Sequence, residues 1–153
     1  MLNRYERFSF LISSINRDIQ KIERDEMVKY GYKGAYAQYL IALYRNPYGL
    51  TSAQLCEICD KDKAAVSRVV SEMVEKNLVK RTGDNIYRAM LVLTDEGKKA
   101  VSYVAQKAEI AVDIIGNSIE EDERKIMYEV LKDIYTKLNT ISQTGIPDEC
   151  KGE

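Results

Sequence analysis

Two cysteines three residues apart are the clearest candidates for bond-making chemistry in the sequence. Cys56 and Cys59 form a C-x-x-C pair, a spacing found in redox-active dithiols and in half of many zinc sites. The sequence contains no histidine, so it lacks the commonest zinc ligand and the usual catalytic base near neutral pH. Cysteine also packs well as a small apolar core residue. We therefore expect structural cysteines, no metal or cofactor and no enzyme activity; a redox pair is the alternative.

Four consecutive acidic residues, Glu120 to Glu123, are a second candidate for metal chemistry. They stand at the start of a predicted helix, where the positive end of the helix dipole favours carboxylates. We therefore expect a solvated helix start rather than a metal site.

Positive charge is concentrated in the amino-terminal and middle parts of the chain. The net charge is only −1, but residues 1–50 carry eight basic and five acidic side chains, residues 61–90 carry seven and four, and residues 117–153 carry five and nine. A basic segment inside a nearly neutral chain can neutralise the phosphates of a nucleic acid.

The middle segment predicts two short helices joined by a three-residue break. Thr51 and Gln54 form a capping box at the start of the first helix, and Asp62 suits the N-cap of the second. The inward face of the second helix is predicted to consist of Val66, Val69, Val70, Met73 and Val74. Its outward face is predicted to consist of Ser67, Arg68, Ser71, Glu72 and Glu75.

A β-hairpin is predicted after this helix pair, with strands at Leu78–Arg81 and Ala89–Leu93 around a turn at residues 82–88. Two short helices followed by a hairpin are typical of a winged helix-turn-helix module. The class predicted is therefore mainly α, with a winged helix-turn-helix part.

Long helices flank this module on both sides. One runs from Arg4 to about Met27, roughly 35 Å, and a shorter helix follows at Ala35–Arg45. Thr94 is predicted to cap a helix that ends at Gly116, and Ser118 with Glu121 is predicted to form a capping box for the last helix. Heptad-spaced apolar residues on the first and last helices favour a dimerisation layer, with a core helix of a monomer as the alternative. The dimerisation residues are predicted to be Tyr5, Phe8, Ile12, Ile15, Ile19, Ile134, Leu138 and Ile141.

A chain of 153 residues has room for one ordinary domain. We divide it into a dimerisation helix at residues 1–34, a DNA-binding part at 35–94, dimerisation helices at 95–145 and a flexible tail at 146–153. No apolar run is long enough to span a bilayer, and an export signal is not evident. We therefore expect a cytoplasmic protein that does not bind membranes.

The sequence resembles the MarR family of bacterial transcription regulators. The resemblance is carried in order by Leu50-Thr51-x-x-x-Leu55, Asp62-Lys63-x-x-Val66-Ser67-Arg68-Val69-Val70, Glu75-Lys76-Asn77-Leu78-Val79 and Leu93-Thr94-Asp95-Glu96-Gly97. It implies a homodimer that binds a palindromic operator in double-stranded DNA, with the second short helix in the major groove and the hairpin wing against the minor groove.

The resemblance and the outward positions together indicate the DNA-binding residues. The recognition helix would present Lys63, Ala64, Ala65, Ser67, Arg68 and Ser71. The wing would present Arg81, Asn85, Tyr87 and Arg88. Phosphates would be contacted by Ser52, Lys61, Lys76 and Lys80.

Two departures from the family pattern bear on the DNA site. Ala64 and Ala65 stand where relatives carry small hydroxylated residues, which favours contact with thymine methyl groups. Ile86 stands where relatives carry an acid that steadies the wing arginine, here Arg88.

Six tyrosines lie between residues 30 and 48. The family resemblance implies a pocket for a small aromatic or anionic effector near them, and Tyr32, Tyr36 and Tyr39 are its candidates. The alternative is a set of half-buried surface tyrosines.

The function predicted is a transcription repressor under possible small-molecule control; the alternatives are a thiol-based redox protein and a winged-helix module that binds another protein.

Overall fold

A computed structural model describes residues 3–83 and 89–147 of the chain, and these residues form six helices and one two-stranded antiparallel sheet. In chain order the elements are α1 (Arg4–Lys29), α2 (Tyr36–Arg45), α3 (Ser52–Cys59), α4 (Lys63–Glu75), β1 (Val79–Thr82), β2 (Met90–Leu93), α5 (Asp95–Gly116) and α6 (Glu121–Thr144). This order confirms the mainly helical, winged helix-turn-helix class predicted from the sequence.

The chain forms two compact units, Met1–Ile110 and Ala111–Glu153, whose boundary lies inside α5. The first unit contains α1 to α4 and the sheet, and the second contains the end of α5 together with α6. The finer division predicted from the sequence stays a prediction. No described helix combines the length and the apolar character that crossing a bilayer requires.

Local capping accounts for the start of α1 but not for the start of α6. The Asn3 side chain accepts the backbone N–H of Glu6, and the Glu6 carboxylate accepts the N–H of Asn3, so a capping box opens α1. The box predicted between Ser118 and Glu121 is wrong. The Ser118 hydroxyl instead donates to the carbonyl of Ile115 in the preceding turn, and α6 begins without a side-chain cap.

The helix-turn-helix is defined by two caps and one left-handed residue. The predicted capping box of Thr51 and Gln54 is present at α3. Asp60 ends α3 at φ 50°, a left-handed conformation that aspartate tolerates better than most residues. The Asp62 side chain then accepts the N–H of Ala65 at 2.9 Å and caps α4, as predicted.

Helix α4 packs on the core through one face. Val66, Val70 and Met73 are fully buried, and their spacing of four and three residues places them on one side of the helix. Val74 was expected on this face but is 37% exposed, because it lies at the edge of the buried stripe. The opposite face of α4 is thereby left to solvent.

The hairpin has the predicted antiparallel pairing, with each strand starting one residue later than expected. Val79 pairs with Leu93 and Thr82 with Met90. Leu50 adds a one-residue bridge to Leu91, which the sequence analysis did not predict. Gly49 makes this approach possible: its φ is +94°, and a Cβ there would lie 2.8 Å from Cγ1 of Val92.

A single hydrophobic core holds α4 and the sheet in place within the first unit. It takes residues from every element of that unit, and its largest fully buried members are Met27, Tyr36, Leu40, Leu43, Leu55, Met73, Leu78 and Leu91. Rigid attachment of α4 to this core fixes the direction of its outward side chains.

Candidate nucleic-acid interface

The outward face of α4 carries the side chains predicted to contact bases. Lys63, Ala64, Ser67, Arg68 and Ser71 are exposed, and Ala65 is half-buried. The face combines two cations with hydroxyls and methyl groups, which are the groups that read hydrogen-bonding edges and thymine methyls in a major groove.

Arg68 is available for a ligand. Among the residues that the structure describes, it forms no ion pair and no side-chain hydrogen bond. Asp62, at the start of the helix, has a lowered pKa chiefly because its carboxylate accepts a hydrogen bond from the Ala65 N–H. The positive charge of Arg68 lowers this pKa further.

Glu72 is an acidic residue on this face, and its carboxylate is bound by Lys33, just before α2, and by Tyr36, the first residue of α2. The Lys33 ammonium and the Tyr36 hydroxyl both donate to Oε2 of Glu72, each at 2.7 Å. Both bonds lower the pKa of Glu72, and the bond from Lys33 has the larger effect. Burial, followed by the bond to Glu72, raises the pKa of Tyr36 to about 12. Sequence analysis missed this cluster, because 39 and 36 residues separate its members.

The predicted phosphate contacts lie on several elements. Ser52 is half-buried at the first residue of α3, while Lys76 and Lys80 are exposed. Lys61 lies in the turn between α3 and α4 and also lines a cavity shared with α1 and α2. Exposed lysines of this kind suit phosphate contacts, which set register and affinity without reading sequence.

The wing is described only in part. Arg81 is exposed on β1 beside Leu91 of β2. Asn85, Tyr87 and Arg88, the other predicted wing residues, lie outside the described residues. Arg81 is therefore the wing residue whose position the structure gives.

The predicted dimerisation residues are largely exposed in the single chain. Tyr5, Phe8, Ile12, Ile15 and Ile19 line α1 with exposures from 37% to 75%. On α6, Leu138 and Ile141 are exposed and Ile134 is half-buried. Apolar seams of this length are expected to be covered by another surface.

The tyrosines predicted for an effector pocket have different surroundings. Tyr36 and Tyr39 are core residues, and Tyr32 is half-buried with its hydroxyl 3.5 Å from Oε1 of Glu96.

A cavity of about 550 Å³ lies elsewhere in the first unit, between α1, α2 and the turn before α4. Its polar lining includes Gln20, Glu23, Gln38, Arg45 and Lys61. Burial raises the pKa of Glu23, although Arg45 and Arg24 oppose the effect.

Cys56 and Cys59 both pack against the core of the first unit. They are half-buried thiols, and Sγ of Cys59 lies 3.9 Å from the carbonyl oxygen of Gln38. Burial raises the pKa of Cys59 to about 11, an effect that Lys61 only partly offsets. Since the thiolate is the reactive form, this environment disfavours reaction at Cys59.

Comparisons with known proteins agree with the geometry. Residues 30–85 match the MarR family model. The fold is similar to that of a MarR transcriptional regulator from Methanosarcina mazei Go1, at 23% identity and a TM-score of 0.74, over 89% of this chain and 99% of that one. It is also similar to a MarR family protein from Bacillus stearothermophilus, at 16% identity and a TM-score of 0.78, over 91% and 99% of the two chains.

A third similar structure is MepR, a transcription regulator of the Staphylococcus aureus multidrug efflux pump MepA. It shares 20% identity and a TM-score of 0.65, over 86% of this chain and 98% of that one. No curated protein matches the sequence. The resemblance to the MarR family is confirmed, in sequence for residues 30–85 and in fold for nearly the whole chain.

Proposed function

We propose that this chain, which has the fold of MarR-family transcription regulators, acts in the cytoplasm as a homodimeric repressor that binds a palindromic DNA operator. The observation that carries the proposal is the exposed outer face of α4, on which Arg68 is unpaired within the described part of the chain. Val66, Val70 and Met73 anchor the same helix in the core. Such a helix can enter a major groove without being displaced from its own domain.

Base recognition would depend chiefly on Arg68. Its guanidinium can donate two hydrogen bonds to O6 and N7 of a guanine, while Ala64 and Ala65 can contact thymine methyl groups. Phosphate contacts from Ser52, Lys61, Lys76 and Lys80 would set the register. The wing, with Arg81 and the predicted Asn85, Tyr87 and Arg88, would follow the minor groove.

Dimerisation would cover the apolar seams of α1 and α6. The exposure of Ile12, Ile15 and Ile19 on α1, and of Leu138 and Ile141 on α6, supports this part of the proposal. A two-fold symmetric dimer carries two copies of α4, so it would recognise two half-sites about 34–36 Å apart, one helical turn of DNA.

An effector would regulate binding from the cavity between α1, α2 and the turn before α4. Its volume of about 550 Å³ falls in the range of small-molecule sites. Arg45 and Lys61 suit an anionic group, and Ile41 and Ile58 suit an aromatic ring. A ligand that binds one arrangement of the two α4 helices more tightly than another would shift DNA affinity.

The two alternative functions make different predictions. A redox pair needs a thiol pKa well below its ordinary value, whereas burial raises that of Cys59. A module that binds only another protein would show no affinity for duplex DNA and little dependence on salt.

The decisive experiment selects bound duplexes from a random DNA pool with the full chain. We expect an enriched palindrome whose half-sites are one helical turn apart, and an affinity that falls linearly with salt on logarithmic axes. The Arg68→Ala variant is the control, because it should select a pool with a weakened consensus. An unenriched pool from a folded wild-type protein would refute the proposal.

A further inference from the structure

We infer that Lys33 and Tyr36 hold the carboxylate of Glu72 away from Arg68, and that this keeps Arg68 available to DNA. The inference rests on the proposed function of α4 in DNA recognition. It assigns Lys33, Tyr36 and Glu72 as positioning residues, because they act on DNA through Arg68.

Arg68 and Glu72 have the spacing of an ion pair. They are four residues apart on α4, where side chains of opposite charge are neighbours on the helix surface. Both side chains reach solvent, and that of Glu72 is 39% exposed. No ion pair between them is present in the described structure. The pairing that this spacing allows is therefore not the one that Glu72 makes, and a competing interaction takes its place.

The structure supplies that competing interaction from the start of α2. Oε2 of Glu72 accepts one hydrogen bond from Lys33 Nζ and another from Tyr36 Oη, both at 2.7 Å. Each bond involves a charged acceptor, which makes it stronger than a neutral one. Glu72 is thereby directed towards α2 and away from Arg68.

The burial of Tyr36 explains why this arrangement is preferred. Its side chain is fully buried, and a buried phenol that loses its partner carries a desolvation penalty. The Tyr36 hydroxyl is also already fixed by core packing, so little further entropy is lost when it binds Glu72. An Arg68–Glu72 pair would instead order two long exposed side chains, so it would stabilise the protein less than the two bonds that Glu72 already forms.

Loss of the hydrogen bonds from Lys33 and Tyr36 to Glu72 would weaken DNA binding in two ways. A released Glu72 carboxylate can pair with Arg68, one turn earlier on the helix, and thereby compete with a guanine. It also brings an unneutralised negative charge close to the DNA phosphates. The segment joining α1 to α2 thus controls recognition without touching DNA.

The chain contains a matched control cluster of the same composition. Glu26 on α1 accepts hydrogen bonds from Lys29 and from the Tyr103 hydroxyl, the latter at 3.4 Å. This cluster joins α1 to α5 and includes no residue of α4. Its variants change charge and hydroxyl count in the same way as variants of the Lys33–Glu72–Tyr36 cluster.

The test measures the affinity of each full-length variant for the selected operator duplex, with circular dichroism and thermal unfolding as checks of folding. We expect Lys33→Gln and Tyr36→Phe to bind about threefold to tenfold more weakly, a partial loss of one arginine contact. The control variants Lys29→Gln and Tyr103→Phe should stay within about twofold of wild type, since they leave α4 unchanged. The Lys33 side chain is mostly exposed, so Lys33→Gln should fold normally. Its operator affinity therefore tests the inference even if Tyr36→Phe folds poorly.

Double variants distinguish the positioning role of Lys33 and Tyr36 from a purely structural role of these residues. Adding Glu72→Gln to Lys33→Gln or to Tyr36→Phe removes the competing charge and should restore affinity to within about twofold of wild type. Double variants that stay as weak as the single ones would overturn the inference, as would single variants that bind normally. If wild type binds no duplex, the proposed function fails as well, whereas normal wild-type binding with unaffected variants refutes the inference alone.

Discussion

The backbone of residue 97 approaches Leu78 so closely that a Cβ on Gly97 would lie 2.0 Å from the Leu78 carbonyl oxygen. The same carbonyl accepts the N–H of Thr94 at 3.0 Å, and Oγ1 of Thr94 accepts the N–H of Gly97 at 3.1 Å. Thr94 and Gly97 therefore fasten the first turn of α5 to the segment that follows α4. This contact gives a packing reason for the Leu93–Gly97 motif.

We expect Gly97→Ala to lower the free energy of unfolding by about 3 kcal/mol, since the new methyl group meets backbone that has little freedom to move. Chemical denaturation followed by circular dichroism measures the change. Gly116→Ala in the same helix is the control, because a Cβ there would be 3.6 Å from its nearest neighbour. That variant should be as stable as wild type or slightly more stable, and equal destabilisation of both would contradict the packing argument.

Arg68→Ala is expected to weaken operator binding by about 1–3 kcal/mol and to relax base preference at one position of each half-site. Lys80→Ala should weaken binding similarly on all sequences and reduce the slope of log affinity against log salt by about one. Titrations of the selected duplex and of a scrambled duplex at several salt concentrations distinguish the two effects. Identical behaviour of the two variants would count against base reading by Arg68.

Ile12→Asp is expected to disrupt the homodimer, because it places a charge in the apolar seam of α1. Light scattering coupled to size-exclusion chromatography measures the mass. Phe10→Asp provides the control on the other side of the same helix, since residue 10 is 62% exposed and lies off the seam. We expect Phe10→Asp to remain dimeric, and a wild-type protein that is monomeric would remove the basis of the half-site spacing.

Treatment with peroxide or iodoacetamide at pH 8 should leave operator affinity unchanged. Burial raises the pKa of Cys59 to about 11, so only about one Cys59 side chain in a thousand is ionised at that pH. Mass spectrometry of the treated protein measures Cys59 modification directly. A reversible loss of affinity that Cys56→Ser or Cys59→Ser abolishes would instead indicate thiol sensing.

Acid should selectively weaken the cap of α4. The Ala65 N–H lowers the pKa of Asp62 below its usual 3.8, so the carboxylate stabilises the fold above that pH and loses its contribution as the pH falls through the lowered value. Asp62→Asn retains a capping oxygen but does not titrate. The stability advantage of wild type over Asp62→Asn, measured by urea denaturation at pH 7 and below pH 3, should shrink in acid; a constant difference would show that the charge contributes nothing.

Much of the fold was predictable from local sequence patterns. The caps at Thr51 and Asp62 and the break between α3 and α4 depend on residues within three or four positions of one another. Capping and helical periodicity act at that range, so a linear sequence is sufficient to find them. The box predicted at Ser118 is wrong because the N-cap of α6 is Glu120, two residues later in the chain, and the Ser118 hydroxyl donates to the carbonyl of Ile115 in the preceding turn.

The sequence by itself determined which side chains α4 can offer to DNA, since an apolar stripe at Val66, Val70 and Met73 leaves the opposite face outward. Only the tertiary structure decided which of the outward charges remain unpaired. Glu72 could pair with Arg68 on its own helix, but folding brings Lys33 and Tyr36 to it from 39 and 36 residues away. Local spacing defines the possible partners of a charge, whereas long-range packing, by burying one donor and fixing its direction, selects among them.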